Sequence, residues 1–263
     1  MDIDHMNSEI KNSAPKYPRD VAVFCGGLLA NRGSESRSIA YMNEAKALAR
    51  KELDSRRLIH RDAGARKSAD AFREIRTRLL ELGGNRNFVT LVVSVSPGSG
   101  GSFVARNLAA AFAFDDAKTA LLIDCNLRYP VQHTALGVEV GNGGLIDYLE
   151  QPTQDVQDIL YRTGLPRVRL IPAGHARESS AEYFSSYRMR ILIDSLRSRY
   201  PDRYLFLDGP ALKGSPEARI LSELADFVVI VAGYGRDTAA SVNQTVASLD
   251  PKKVAGVVFN YPP

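Results

Sequence analysis

From Phe88 to Asn260 the chain alternates short apolar runs with amphipathic stretches. The runs FVTLVVSV (88–95), TALLIDC (119–125), RVRLIPAG (167–174), YLFLD (204–208), DFVVIVAG (226–233) and KVAGVVFN (253–260) are nearly continuous in apolar residues. Runs of this kind predict strands buried on both faces. Helices are predicted between them at 102–114, 145–149, 181–199, 215–224 and 238–249. The alternation predicts an α/β fold, an open and mostly parallel sheet with helices on both faces. Ligands of such sheets bind beyond the carboxyl ends of the strands. Ser96, Asp124, Asn126 and Asp208 fall there.

Upstream of Phe88 the pattern changes. Residues 1–40 are mixed and polar, which predicts a loosely ordered N-terminal arm with a short element at Val21–Phe24. Tyr41–Arg61 is rich in helix formers and predicts a charged linker helix. After the joint DAGARKSA, Phe72, Ile75, Leu79 and Leu82 recur at helical spacing, and Gly83-Gly84 ends the helix. The expected organisation is an arm and linker helix over 1–64, then one body over 65–263.

Composition narrows the function classes. The chain has 263 residues, 44% of them hydrophobic, and a net charge of +4. Lysine and arginine are spread without aromatic interleaving, which argues against a nucleic-acid partner. The two cysteines, Cys25 and Cys125, form no metal-ligand spacing and no disulfide framework, which predicts reduced thiols in a cytoplasmic protein. The apolar run Val21–Ala30 is too short to span a bilayer as a helix, and it follows Asp20 without a clear cleavage site.

The chemistry gathers at three places. After the first strand comes SPGSGGS, Ser96–Ser102. Gly98, Ser99, Gly100, Gly101 and Ser102 present backbone N–H groups and a helix N-terminus to an anion. A complete phosphate loop has lysine before its hydroxyl residue. Here Gly101 stands in that place, and Arg106, about one turn on, is the nearby candidate cation. A dinucleotide loop is excluded, because Phe103 occupies the third glycine position. Asp124 and Asp208 each end a strand, where a carboxylate can hold magnesium with the Ser102 hydroxyl. Each of these features has an ordinary alternative, a ligand-free turn or a turn-capping aspartate. Their joint order raises a P-loop descendant above chance.

Over roughly Ala65 to Asn260 the chain resembles the cytoplasmic domain of bacterial tyrosine kinases (BY-kinases). This is the CpsD/CapB-like family of capsule and exopolysaccharide systems, a P-loop NTPase-like branch of the deviant-Walker ATPases. The resemblance rests on DAFREIRT, SPGSGG–S, LLIDCNLRYP, GLIDYL, LIPAG, SSYRMRILIDSLRSRYPDRYLFLDGPAL, ELADFVVIVAGYGRDT and GVVFN. It implies magnesium positions at Ser102, Asp124 and Asp208, and an asparagine near the base at Asn260. It also implies an assembly helix at Asp70, Arg73 and Arg76, with aspartate where the family has glutamate. Two family residues are missing: the phosphate lysine is Gly101, and the second aspartate of the strand-end motif is Asn126. The family's C-terminal tyrosine cluster is reduced to Tyr261.

The resemblance therefore implies ATP/ADP and magnesium binding in weakened form. It implies a role in polysaccharide synthesis or export by binding rather than catalysis. The implied partners are an inner-membrane polysaccharide co-polymerase, an active kinase homologue or further copies of the chain. The implied place is the cytoplasm, held peripherally at the inner membrane through a partner. Two alternatives stay open: an active tyrosine autokinase or ATPase with an atypical loop, and a partition-type positioning ATPase.

Overall fold

The computed structural model describes residues 46–61, 66–84, 86–177 and 181–261. The expected arm, its Val21–Phe24 element and Cys25 lie outside the described residues. Seven strands form one sheet: β1 (Val89–Ser94), β2 (Thr119–Asp124), β3 (Tyr161–Arg162), β4 (Val168–Ile171), β5 (Arg203–Asp208), β6 (Phe227–Gly233) and β7 (Val254–Asn260). Their order is β3-β4-β2-β5-β1-β6-β7. All neighbours are parallel except the β3–β4 pair. The expected α/β architecture is present. The one unforeseen strand is β3, whose two residues are too short for any periodicity to register.

β1, β2, β4 and β5 are buried at every position. Their alternate side chains feed two cores. On one face Leu91, Val93, Leu121, Ile123, Leu205 and Leu207 pack with the helices α7 (Tyr187–Arg199) and α8 (Pro216–Leu224). On the other, Val92, Leu122 and Phe206 meet α2 (Arg66–Gly83) and α3 (Gly101–Phe112). Phe112 stands edge-on to Phe206 at 5.0 Å and to Phe88 at 5.8 Å, wedging α3 against the sheet.

Three elements depart from the expected pattern. The linker helix is helical only over α1 (Arg50–Ser55) among its described residues. It stops because Arg57 adopts φ 56° and turns Leu58 and Ile59 into the α3 face, where both are buried. Burial gains about 1.5–3 kcal/mol per side chain, more than the few tenths that helix propensity offers. The Asn107 side chain fixes this turn, accepting from Ile59 N at 2.8 Å and donating to Arg57 O at 3.1 Å. The helix expected over 181–199 is two, α6 (Ala181–Ser185) and α7, because Ser186 caps α7 by accepting from Met189 N. Leu82, assigned to the apolar stripe of α2, is instead 41% exposed, while Phe72 and Leu79 are buried.

Candidate functional site

β1, β2 and β5 bring three sequence-predicted side chains to one end of the sheet. In the register of β2 and β5, Asp124 stands opposite Asp208. β1 lies on the other side of β5, and beyond its last residue, Ser94, the glycine loop leads into α3. Gly98 and Gly100 take φ of 82° and 96°, the left-handed region that only glycine enters without strain. Ser94 Oγ accepts from Gly101 N at 2.9 Å and fixes the start of α3.

The loop is held from outside by residues the sequence did not single out. Ser99 is buried and donates to Asp237 Oδ2 at 2.5 Å, and Asp237 also accepts from Gly233 N at 2.7 Å. Arg236 donates to Pro97 O at 2.9 Å. Burial raises the Asp237 carboxyl, but hydrogen bonds from Ser99, Ser96 and Gly233 outweigh it and leave it below its ordinary value. Asn260, at the end of β7, donates its amide to Ser99 O at 3.0 Å. A Cβ on Gly100 would lie 2.1 Å from that amide nitrogen. Asn260 is thus a loop latch in this structure. Asp237 and Arg236 lie just past the carboxyl end of β6, and that position was the available signal.

The two strand-end aspartates have different surroundings. Asp124 is fully buried and accepts three backbone N–H bonds, from Asn126 (3.1 Å), Val131 (3.1 Å) and Gln132 (3.0 Å). It ties down the turn that follows β2. Asp208 is equally buried, and its Oδ2 accepts from Gln132 Nε2 at 2.6 Å. The same amide donates to Ser102 O at 2.9 Å, and the Ser102 hydroxyl helps hold the Asp208 carboxyl down. Burial pushes both carboxyls above their ordinary range. Asp124 is pushed further by the charge of Asp208, whereas Gln132, Ser102 and Arg106 pull Asp208 back down.

Gln132 opens the short helix α4 (Gln132–Leu136) and is fully buried. Nothing in its local sequence marks it, because its partners lie on β5 and the glycine loop. A divalent cation against Asp208 Oδ2 would have to displace its amide. Among the described residues, Asp208 Oδ1 and Gln132 Oε1 are both buried without a hydrogen-bond partner, two open acceptors side by side. Gly101 adds no side-chain cation to this set, and Asn126 adds an amide rather than a carboxylate.

A cavity of about 760 Å³ opens over the loop, lined by Gly100, Ser102, Phe103, Arg106, Asn126 and Lys213 among others. Its size suits a small-molecule site. Arg106 reaches it with its guanidinium 5.4 Å from the Phe103 ring, and burial lowers its pKa against the raising effect of Asp208. The expected assembly residues lie elsewhere, on α2. Asp70 and Arg73 form an exposed pair at 2.6 Å, with Arg73 also 5.4 Å from the Phe114 ring. Arg76 turns inward and donates to Ala111 O at 2.9 Å, in the last turn of α3.

No family model matches the chain. Among curated proteins it is similar to the tyrosine-protein kinase Wzc of Salmonella typhimurium, 30% identical over 194 residues, covering 73% of this chain and 26% of that protein. It is similar to the tyrosine-protein kinase YwqD of Bacillus subtilis, 28% identical over 238 residues, covering 89% of this chain and 90% of that protein. The chain spans about a quarter of the length of the curated relatives it matches first, Wzc among them. Among solved structures, the kinase domain of the Escherichia coli tyrosine kinase ETK shares the fold, with a TM-score of 0.67 at 24% identity, covering 73% of this chain and 75% of that one.

Proposed function

Because the chain belongs to the bacterial tyrosine kinase (BY-kinase) family, we propose that it serves exopolysaccharide or capsule biosynthesis or export by binding rather than by catalysis. Its partner is an inner-membrane polysaccharide co-polymerase or an active kinase homologue. One observation carries the reading: a preserved phosphate cradle surrounds a site with Gly101 in the lysine position and Gln132 donating to the carboxylate expected to hold magnesium. ATP or ADP would bind weakly, through the backbone N–H groups from Gly98 to Ser102. Asp124 serves the fold more than a metal. Membrane association runs through that partner in this reading; among the described residues no helix is long and apolar enough to cross a membrane.

A second reading, an active autokinase or ATPase, draws on Arg106, which lines the same cavity as Gly101 and supplies a positive charge. Against it stands Asn126, an amide that cannot act as a general base where the family's second aspartate belongs.

Arg73 is the exposed residue that tests the partner. Arg73→Glu removes its bond to Asp70, an exposed pair contributing about 0–1 kcal/mol, so the fold should survive. Co-purification with the co-polymerase, or oligomer mass by light scattering, should drop. Arg76→Glu is the wrong probe, because it also strips the bond to Ala111 O. An unchanged pull-down, together with normal surface polysaccharide in a strain lacking the protein, would refute the reading.

A further inference from the structure

At the opposite end of the sheet, four arginines converge on a second cavity. It measures about 350 Å³ and is lined by Arg162, Arg169, Arg199 and Arg203 together with Tyr200 and Ser195 among others. Arg203 opens β5, five residues before Asp208, which puts this cavity about 17 Å along the strand from the glycine-loop end. Strand order explains the convergence. Arg203 and Arg169 flank β2, paired with Thr119 and Leu121, which point to the same face. Arg162 stands directly across the β3–β4 ladder from Arg169. The last turn of α7 lays Arg199 over them.

This arrangement is costly without an anion. Arg169 and Arg203 are buried, 6% and 4% exposed. Among the described residues Nε and Nη1 of Arg203 have no hydrogen-bond partner, and its Cζ lies 3.9 Å from the Tyr200 ring centroid. Like charges directly opposed across a ladder repel, and a buried unpaired charge destabilises a fold. Among the described residues no carboxylate lines the cavity. The nearby Asp202, whose charge acts on Arg203, is engaged by the Thr119 hydroxyl at 3.4 Å.

We infer that this cavity is a binding site for a small phosphorylated ligand, of which a phosphate or pyrophosphate group is the recognised part. Guanidinium forks match phosphate oxygens in bidentate geometry. The volume lies at the lower end of the range for small-molecule pockets, room for a diphosphate with a small appended group. The ligand would supply acceptors for the bare Arg203 nitrogens and relieve the Arg162–Arg169 repulsion. This site is separate from the glycine loop and does not depend on the functional reading of that loop.

Calorimetric titration of the full chain with inorganic pyrophosphate tests it. The expected result is a salt-sensitive binding event that survives Gly100→Ala, which breaks the backbone cradle of the glycine loop. Arg199→Ala, an exposed change that leaves the core untouched, should weaken it about tenfold, the loss of one charge-assisted bond. Arg203→Met should abolish it while raising the melting temperature of the ligand-free protein, because an unpaired buried charge is gone. If Arg203→Met fails to fold, Arg199→Ala still decides the matter. No binding at millimolar pyrophosphate, or binding lost in Gly100→Ala and kept in Arg199→Ala, would overturn the site.

Discussion

Gly101→Lys alone is expected to lower the stability of the protein, and Gly101→Lys with Ser94→Ala to recover it and tighten ATP binding. The reason is the seat of Gly101. A Cβ there would lie 2.6 Å from Ser94 Oγ and 3.3 Å from Ser94 N, so the serine hydroxyl must swing away from its bond to Gly101 N. Overpacking of this kind costs about 1–3 kcal/mol. Removing the hydroxyl clears the space and gives up one hydrogen bond of about 1 kcal/mol. The lysine then gains a charge-assisted contact to phosphate of about 1.5–3 kcal/mol, roughly a 10- to 100-fold gain in affinity. Urea unfolding and calorimetric titration with ATP measure the two effects. A single Gly101→Lys variant as stable as the parent would show that the loop has no steric lock. Phe103, which lines the same cavity, is half-buried with its ring 6.0 Å from that of Phe72.

The second large effect separates the two aspartates. Asp124→Ala is expected to cost about 2–4 kcal/mol, because it leaves three backbone N–H groups without their acceptor, each a loss of about 1–3 kcal/mol when buried. Relief of the repulsion with Asp208 offsets part of that sum. Asp208→Ala removes the partner of the Gln132 amide and of Ser102 but orphans no backbone group, so its cost is expected to stay near 1 kcal/mol. Denaturant midpoints of the two variants compare them directly. If Asp124→Ala costs no more than Asp208→Ala, Asp124 is not the knot of the turn after β2, and a metal-binding role for it regains weight.

The sheet was legible because its strands are apolar at nearly every position. Burial on both faces demands that of β1, β2, β4 and β5, whereas β7, equally apolar and expected to be as buried, is an edge strand with no fully buried position. The glycine loop was legible because positive φ leaves a compositional mark. The rest depended on contacts distant in sequence. Gln132, which follows β2, acts on Asp208 at the end of the neighbouring β5, Asp237 reaches Ser99 from just past the end of β6, and the arginine cavity exists only because β2 lies between β4 and β5. The linker helix was overextended for the same reason: the pull of Leu58 and Ile59 onto α3 has no local signature. Arg76, grouped with Asp70 and Arg73 by spacing alone, faces inward because the end of α3 offers a carbonyl that needs a donor.

The claim that this protein binds rather than catalyses is tested most directly by one sample measured two ways. Calorimetry with Mg-ADP and Mg-ATP should run beside a phosphotyrosine and phosphate-release assay, with Asp208→Ala as the reference. Loss of a charge-stabilising lysine costs on the order of 10²–10³ in rate, and loss of a general base about 10²–10⁴. Together they place turnover on the order of 10⁴–10⁷ below that of a kinase with both groups. The account predicts weak or no nucleotide heat, no phosphotyrosine, and phosphate release equal to that of Asp208→Ala. Turnover or autophosphorylation that is present in the parent protein and vanishes in Asp208→Ala would contradict it.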